Sequence, residues 1–172
     1  MKILLINGGR GAKQFIPLLT KYKNLEVTSL VNAYDDGKST GEIRKYFNTL
    51  GPSDIRKVHQ LFLNKTDKNY KFLLKVFNFR FDNKIDRMSA LDQIESKIFS
   101  SQNLKINFNK TNNKYKKKFS KYLDFIHKKL KIYKNFNFED CSLMNLIYVG
   151  SLLQNNYTIS EALNYFNNFL PL

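Results

Sequence analysis

The run KILLINGGRGAKQFIPLLTKYKNLEVTSLVNAYDDGKSTG, residues 2–41, carries the pattern on which the architecture turns. Its opening, KILLI at 2–6, has the shape of a buried parallel strand. NGGRG at 7–11 follows at once. AKQFIPLLTKY at 12–22 places apolar residues at 12, 15, 16, 18, 19 and 22, a helical spacing. Pro17 falls in its first two turns, where alone a helix tolerates it. LEVTSLV at 25–31 is a second β-rich run, and NAYDDGKSTG at 32–41 has loop composition. Strand, glycine loop, helix, strand and loop make one right-handed βαβ unit.

Beyond Pro52 the spacing becomes helical. SDIRKVHQLFL at 53–63 opens with Ser-Asp, good N-cap chemistry. Helices are also expected over 68–79, 87–99, 142–154 and 159–170, the last opened by a TISE capping-box pattern at 158–161. Residues 114–134 set Phe119, Tyr122, Leu123, Ile126 and Leu130 on one face of an amphipathic helix, and 100–113 read as a loop. Two strands cannot make a stable doubly wound sheet. Either further strands lie in 76–84, 104–108 or 132–138, or a C-terminal half is missing. The expected fold is α/β: a Rossmann-like parallel sheet with flanking helices, helix-rich and incomplete at the C-terminus.

Composition sets the bounds. A chain of 172 residues is one domain, and 42% hydrophobic with 25% charged residues is globular composition. The single Cys141 excludes an intrachain disulfide and a multi-cysteine zinc site, and nothing beside it activates the thiol. Apolar runs such as ILLI at 3–6 and LIYV at 146–149 are far shorter than the ~18 residues of a membrane span. The N-terminal apolar stretch is too short for a signal-peptide core. These features predict a cytoplasmic protein without membrane contact.

The net charge is +15, from 29 Lys+Arg against 14 Asp+Glu. Residues 103–134 alone hold eleven Lys and one acid, Asp124. Such a segment can bind nucleic acid or another polyanion. The solvated face of a basic helix is favoured, because Lys dominates where bidentate phosphate recognition prefers Arg. Abundant Lys, Asn, Ile and Phe also match the drift of an AT-rich genome.

Four constellations can carry chemistry. Asn7, Gly8, Gly9, Arg10 and Gly11 form a glycine loop between strand and helix, where backbone N–H groups can turn toward an anion. Asp35, Asp36, Gly37, Lys38, Ser39, Thr40 and Gly41 follow the second strand. Ligands of open α/β sheets sit beyond the carboxyl ends of strands, so these loops should lie side by side. Paired carboxylates there suit Mg²⁺ or a ribose hydroxyl, and Lys38, Ser39 and Thr40 can hold phosphate oxygens. The third is Gly51-Pro52-Ser53-Asp54-Ile55-Arg56, where Asp54 suits a helix start and Arg56 can reach a phosphate. The fourth is Asn145 in the apolar 142–146 segment, a ligand contact or a satisfied buried amide. His59 and His127 are isolated, and each reads as a surface or satisfied histidine.

Taken in order, these pieces resemble one family. NGGRGA at 7–12 resembles its GGGTG opening, and AYDDGKSTG at 33–41 its ADDGGSSG. GPSDIR at 51–56 is similar to PPGDIR, FNFRF at 77–81 to LFQYRF, and SLMNLIYVGSLL at 142–153 to SxGNLxLAAL. The family contains 2-phospho-L-lactate transferase (CofD-like) and the gluconeogenesis factor that binds nucleotide sugars, and FNFRF favours the latter branch. The resemblance covers most of 1–81 and 140–170 and makes 1–172 a single domain with a Lys-rich helical insertion at about 84–138. It implies a nucleotide diphosphate or nucleotide sugar as ligand. Gly8, Gly9 and Gly11 would cradle phosphates, Asp35 and Asp36 would face a Mg²⁺ ion or the donor, and Asp54, Arg56 and Asn145 would line the pocket. Arg10, Lys38, Ser53 and Met144 depart from the pattern, the last three replacing glycines.

The reading favoured by these residues is a nucleotide-sugar binder of the gluconeogenesis-factor branch. The alternatives are a Mg²⁺-dependent transferase with Asp35 and Asp36 in its chemistry and Asp36 as metal ligand, and a polyanion binder using 103–134. A second copy, or a partner chain completing the sheet, is the expected protein partner.

Overall fold

The computed structural model describes residues 1–22, 24–111 and 114–172, so Asn112 and Asn113 of the expected 100–113 loop lie outside the described residues. The two expected strands are present. β1 (Lys2–Asn7) and β2 (Glu26–Val31) pair in parallel, from Lys2 opposite Glu26 to Asn7 opposite Val31. Leu5 and Val31 turn inward onto a small core of Ala12, Ile16 and Val58. KILLI reads as a strand buried on both faces, but only this face is covered. Leu4, Ile6 and Leu30 point the other way, into solvent.

The helix expected over 12–22 is broken. A 3₁₀ turn, Gly11–Lys13, leads into the four-residue α1 (Ile16–Leu19), with Pro17 at its start. Proline lacks an N–H and its ring clashes with the carbonyl four residues back, so one helix cannot run through it. The loop expected over 32–41 is shorter than its composition suggests. Lys38 to Gly41 already form the first turn of α2 (Lys38–Phe47), because Ser39, Thr40, Ile43 and Phe47 give it a buried face.

α3 (Ser53–Phe62), α4 (Tyr70–Asn78), α5 (Arg87–Ser96), α6 (Lys114–Ile132), α7 (Leu143–Gln154) and α8 (Ile159–Phe169) match the helical spacing. Thr158 caps α8 in a full capping box with Glu161. α3, by contrast, has no side-chain cap at Pro52, and Ser53 is turned inward instead.

Of the three places expected to hide strands, 104–108 contains one. β3 (Ile98–Ser100) and β4 (Lys105–Asn107) pair antiparallel, with Phe99 opposite Ile106, in a hairpin separate from the parallel sheet. Helix was expected to run to 99, but α5 ends at Ser96, where Lys97 turns left-handed (φ 59°). In 76–84 there is an isolated bridge between Arg80 and Ser142, and no strand falls in 132–138.

The principal core is helical. α7, hydrophobic all round, is buried from Leu143 to Ser151 and runs through its middle. α5, the hairpin and the apolar face of α6 pack into the same core, so 84–138 is integral to the body. Among the described residues no helix is long and apolar enough to cross a membrane.

Candidate functional site

The glycine loop leaves β1 and the Asp-rich loop leaves β2 at the same end of the sheet, as parallel pairing demands. α2 and α3, ten residues each, both begin there. Their positive dipole ends lie beside the glycine loop. Between them opens a cleft of about 580 Å³. Of the residues expected at the site, Gly8, Gly9, Arg10, Gly11, Asp35, Lys38, Ser39, Thr40 and Asp54 line it.

Gly51 holds this arrangement together. A Cβ there would lie 2.5 Å from the Thr40 Cγ2 methyl and 2.8 Å from the Asp35 carbonyl oxygen. Only glycine allows the strand-2 loop, α2 and the start of α3 to approach so closely. Buried Ser53 meets the Thr40 hydroxyl in a short hydrogen bond, and its Oγ accepts from Asn145 Nδ2 at 2.9 Å. Asn145 therefore braces the cleft wall from behind rather than lining it. It is fully buried, and its Oδ1 has no partner among the described residues.

Three other expected residues are placed elsewhere. Asn7 ties the strand ends together: its Oδ1 accepts from Ser29 Oγ at 2.7 Å and its Nδ2 donates to the Gly8 carbonyl. Arg56 is buried beneath the site and donates from Nη1 to the Phe77 carbonyl at 2.7 Å, bracing α3 on the end of α4. Burial, aided by the charge of Arg80, pulls its pKa down to about 10. Asp36 lies on the outer side of α2, where it pairs with Arg44 at 3.2 Å.

The cleft also has walls that no motif reading assigned. Lys57 pairs with Asp54 at 2.7 Å, and Arg80 with Asp140 at 3.1 Å. Lys57 was legible as the residue one turn after Asp54, and Arg80 as the arginine of FNFRF. Asp140 had no sequence signal; Arg80 and the Arg80–Ser142 bridge bring it in. Asn32, Tyr34 and Gly37, on the loop after β2, and Ser53 complete the lining. Arg10, Lys38, Lys57 and Arg80 outnumber Asp35, Asp54 and Asp140, and four of these seven charges pair with each other. Arg10 and Lys38 have no ion pair among the described residues, which leaves cationic charge for an anion. Lys38 adopts φ 37° at the position where the resembled pattern has glycine.

Asp35 is the cleft carboxylate outside these pairs. Its Oδ1 accepts from the Gly37 N–H at 3.1 Å. Magnesium is commonly held by one or two carboxylates together with substrate phosphates, and Asp35 beside an anion cradle fits that mode. An all-protein cage does not fit: no group of three His, Cys, Asp or Glu among the described residues could hold a metal.

The remaining reactive side chains are structural. His59 is buried between the Tyr148 hydroxyl and Asn167, and burial pulls its pKa down to about 4. His127 is also buried, 4.0 Å from Glu95. Neither is a surface histidine. Cys141 is buried and its thiol is pushed up to about 12, so it is inert.

Fold and site together define an α/β protein whose parallel strands open at their carboxyl ends onto a cleft lined by more cationic than anionic side chains. Residues 3–161 match the family model described as 2-phospho-L-lactate transferase CofD, and the chain belongs to that family. The gluconeogenesis factor of Listeria innocua is 36% identical over 80 residues, which cover 46% of this chain and 23% of that protein. The gluconeogenesis factor of Listeria monocytogenes is 35% identical over 80 residues, with the same coverage of 46% and 23%. The chain thus aligns with less than a quarter of the length of these relatives. A crystal structure of a Bacillus halodurans protein superposes with a TM-score of 0.57 at 18% identity, covering 98% of this chain and 36% of that one. At that identity the likeness shows the fold.

Proposed function

We propose that the chain binds a nucleotide diphosphate or nucleotide sugar, in the manner of the gluconeogenesis-factor branch, with the diphosphate in the cleft. The observation that carries this reading is the convergence of the glycine loop and the N-termini of α2 and α3 on one cavity containing Arg10 and Lys38. Backbone N–H groups and helix dipoles favour a phosphate there without a dedicated side-chain ligand. Ser53 and Thr40, bonded to each other and braced by Asn145, fix the starts of α2 and α3 against one another at the cleft wall.

Asp35 supports a second reading, that of a Mg²⁺-dependent transferase, which the name of the matched family model also suggests. Mg²⁺ shared between Asp35 and the diphosphate would supply charge neutralisation. The chain's own groups would orient the donor while an acceptor hydroxyl attacks. The lysines exposed along α6 support polyanion binding as a third reading, which steep salt dependence would distinguish.

Thermal stability against UDP-N-acetylglucosamine, UDP-glucose, GDP and GTP, with and without Mg²⁺, tests the first two readings. A ligand at ~100 times its Kd adds about 2.7 kcal/mol, a visible rise in Tm. The rise should be selective for one base, lost in Arg10→Ala, and kept in Asp36→Asn, whose carboxylate lies outside the cleft. Loss of the Mg²⁺ increment in Asp35→Asn would support the metal. No rise with any nucleotide would sink the nucleotide reading. Product formation with an acceptor would separate transferase from binder.

A further inference from the structure

A second hollow, of about 340 Å³, opens between α4 and the β3–β4 hairpin. Lys71 and Lys75 stand one turn apart on α4, so they share a face of that helix. Lys105 comes from β4, and Lys110 from the 3₁₀ turn Phe108–Lys110 that follows it. All four lysines are exposed. The apolar part of the lining is Phe72 and Ile106. Phe72 packs edge-on against buried Phe108, ring centroids 5.4 Å apart, and Ile106 is paired with Phe99 in the hairpin. The turn is held by its own hydrogen bonds: Asn107 Oδ1 accepts from the Asn109 N–H at 2.9 Å, and Thr111 Oγ1 donates to the Asn107 carbonyl at 3.2 Å.

Charge sets this hollow apart. No acidic residue lines it, and the segments that build it, 68–81 and 97–123, contain no Asp or Glu. None of the four lysines takes part in an ion pair among the described residues. In the cleft, by contrast, Lys57 and Arg80 are each paired with an aspartate. Four like charges around one concavity repel one another, a cost that an anion between them removes. A phosphate group carries about 1.5 to 2 negative charges at pH 7, so four lysines match two or more phosphates. Lysine holds phosphate as a point charge, without the bidentate fit of arginine, so such a site counts phosphates. The volume is at the lower end of the ~300–1,000 Å³ of small-molecule sites. A nucleic acid strand instead needs a groove that tracks about 4 nucleotides or more, with aromatic faces for its bases. Here the cations surround one hollow, and Phe72 is half-buried against Phe108.

We propose that Lys71, Lys75, Lys105 and Lys110 form a second anion site, whose ligand is a small molecule with two or more adjacent phosphate groups. The site is independent of the nucleotide reading, because none of its residues lines the cleft.

The test is acetylation footprinting of the full chain, with the rate at each lysine read by mass spectrometry and exposed Lys121 on α6 as reference. Inorganic tripolyphosphate or ATP at about ten times its Kd leaves about one site in eleven free, so the four lysines should be acetylated about tenfold more slowly. Lys121 should keep its rate, and orthophosphate at the same concentration should protect little. Arg10→Ala should keep the protection, since Arg10 belongs to the cleft. Lys71→Glu combined with Lys105→Glu removes one cation from each side of the hollow. It should weaken tripolyphosphate at Lys75 and Lys110 by about tenfold or more, two attractions being lost and two repulsions added. Circular dichroism should stay unchanged, as suits exposed positions. Four outcomes overturn the proposal: lysines already slow to acetylate before any ligand is added, equal protection at Lys121 or by orthophosphate, protection by a short single-stranded RNA and not by tripolyphosphate or ATP, and loss of protection in Arg10→Ala.

Discussion

Lys38 sits where two demands conflict. Its backbone is left-handed at φ 37°, a conformation that costs a side-chain-bearing residue about 1 kcal/mol and glycine almost nothing. It is also one of the two cleft cations outside the ion pairs. Lys38→Gly should therefore raise stability by about 0.5 kcal/mol, a Tm rise of roughly 2 °C, while weakening nucleotide binding several-fold. Parallel thermal and titration series check this, and a rise in both would show that the lysine does not serve the ligand. His59 gives a pH prediction. Its folded pKa is about 4, below the ordinary value of 6.5, so between these values the unfolded chain binds the extra proton. Stability is fully present above 6.5 and is lost as pH falls toward 4, by an amount on the order of 3 kcal/mol. Urea midpoints from pH 7.5 to 4.5 should fall more steeply for the native chain than for His59→Gln; equal slopes would contradict the assignment. The residues that line the cleft were legible because the glycine and aspartate runs directly follow the two parallel strands, whose carboxyl ends are where open α/β sheets place a crevice. Side-chain direction was not. Asp36 and Asp35 are neighbours in sequence, yet one meets Arg44 outside α2 and the other the cleft. Arg56 lies two residues past Asp54, so the helical turn carries it inward to Phe77 while Asp54 stays in the cleft.

The elements show what local pattern can and cannot carry. α3, α4, α6 and α8 were legible because each has an apolar face at helical spacing, and α7 because it is a long run apolar all round. α2 was hidden because Lys38 to Gly41 have turn composition, and its buried face appears only when Ile43 and Phe47 are counted with Ser39 and Thr40. β3 and β4 have three residues each, too few to show a period: β3 was read as the end of the 87–99 helix, and β4 fell within 104–108, one of the places offered for a hidden strand. Packing between elements was less visible still. Gly150, in the middle of α7, faces α6 so closely that a Cβ would lie 2.5 Å from the Tyr122 carbonyl oxygen and 3.0 Å from its carbon. These are backbone atoms in a helix and cannot yield cheaply. Gly150→Ala should cost about 2 kcal/mol or more despite alanine's better helix propensity, because the two longest helices must separate. Urea unfolding checks this, and a neutral or stabilised variant would show that the helices have room to part.

At the scale of the whole molecule, a large helical core and a lightly packed strand unit meet at a seam. Among the described residues the helical body holds 31 buried apolar side chains in one cluster, whereas the β1–β2 unit rests on Ala12, Ile16 and Val58 with a few half-buried neighbours. Burial of apolar area is the main stabilising term, so the strands should open without the body unfolding. The cleft spans that seam: the glycine loop and Asp35 come from the strand unit, while α2, α3 and Arg80 belong to the body. The proposed diphosphate, held by both sides, would bind only when the strand unit is docked, and would therefore stabilise docking by mass action. In the chain alone, amides of β1 and β2 should exchange well before those of α7. Saturating nucleotide should slow β1 and β2 by about tenfold and leave α7 unchanged, because α7 exchanges only through global unfolding limited by the body's own core. Native-state hydrogen exchange, with and without the nucleotide that raises Tm, reads this directly. Equal protection of β1 and α7 in the free chain would mean that the strand unit draws its stability from the body, and that the ligand has no seam to close.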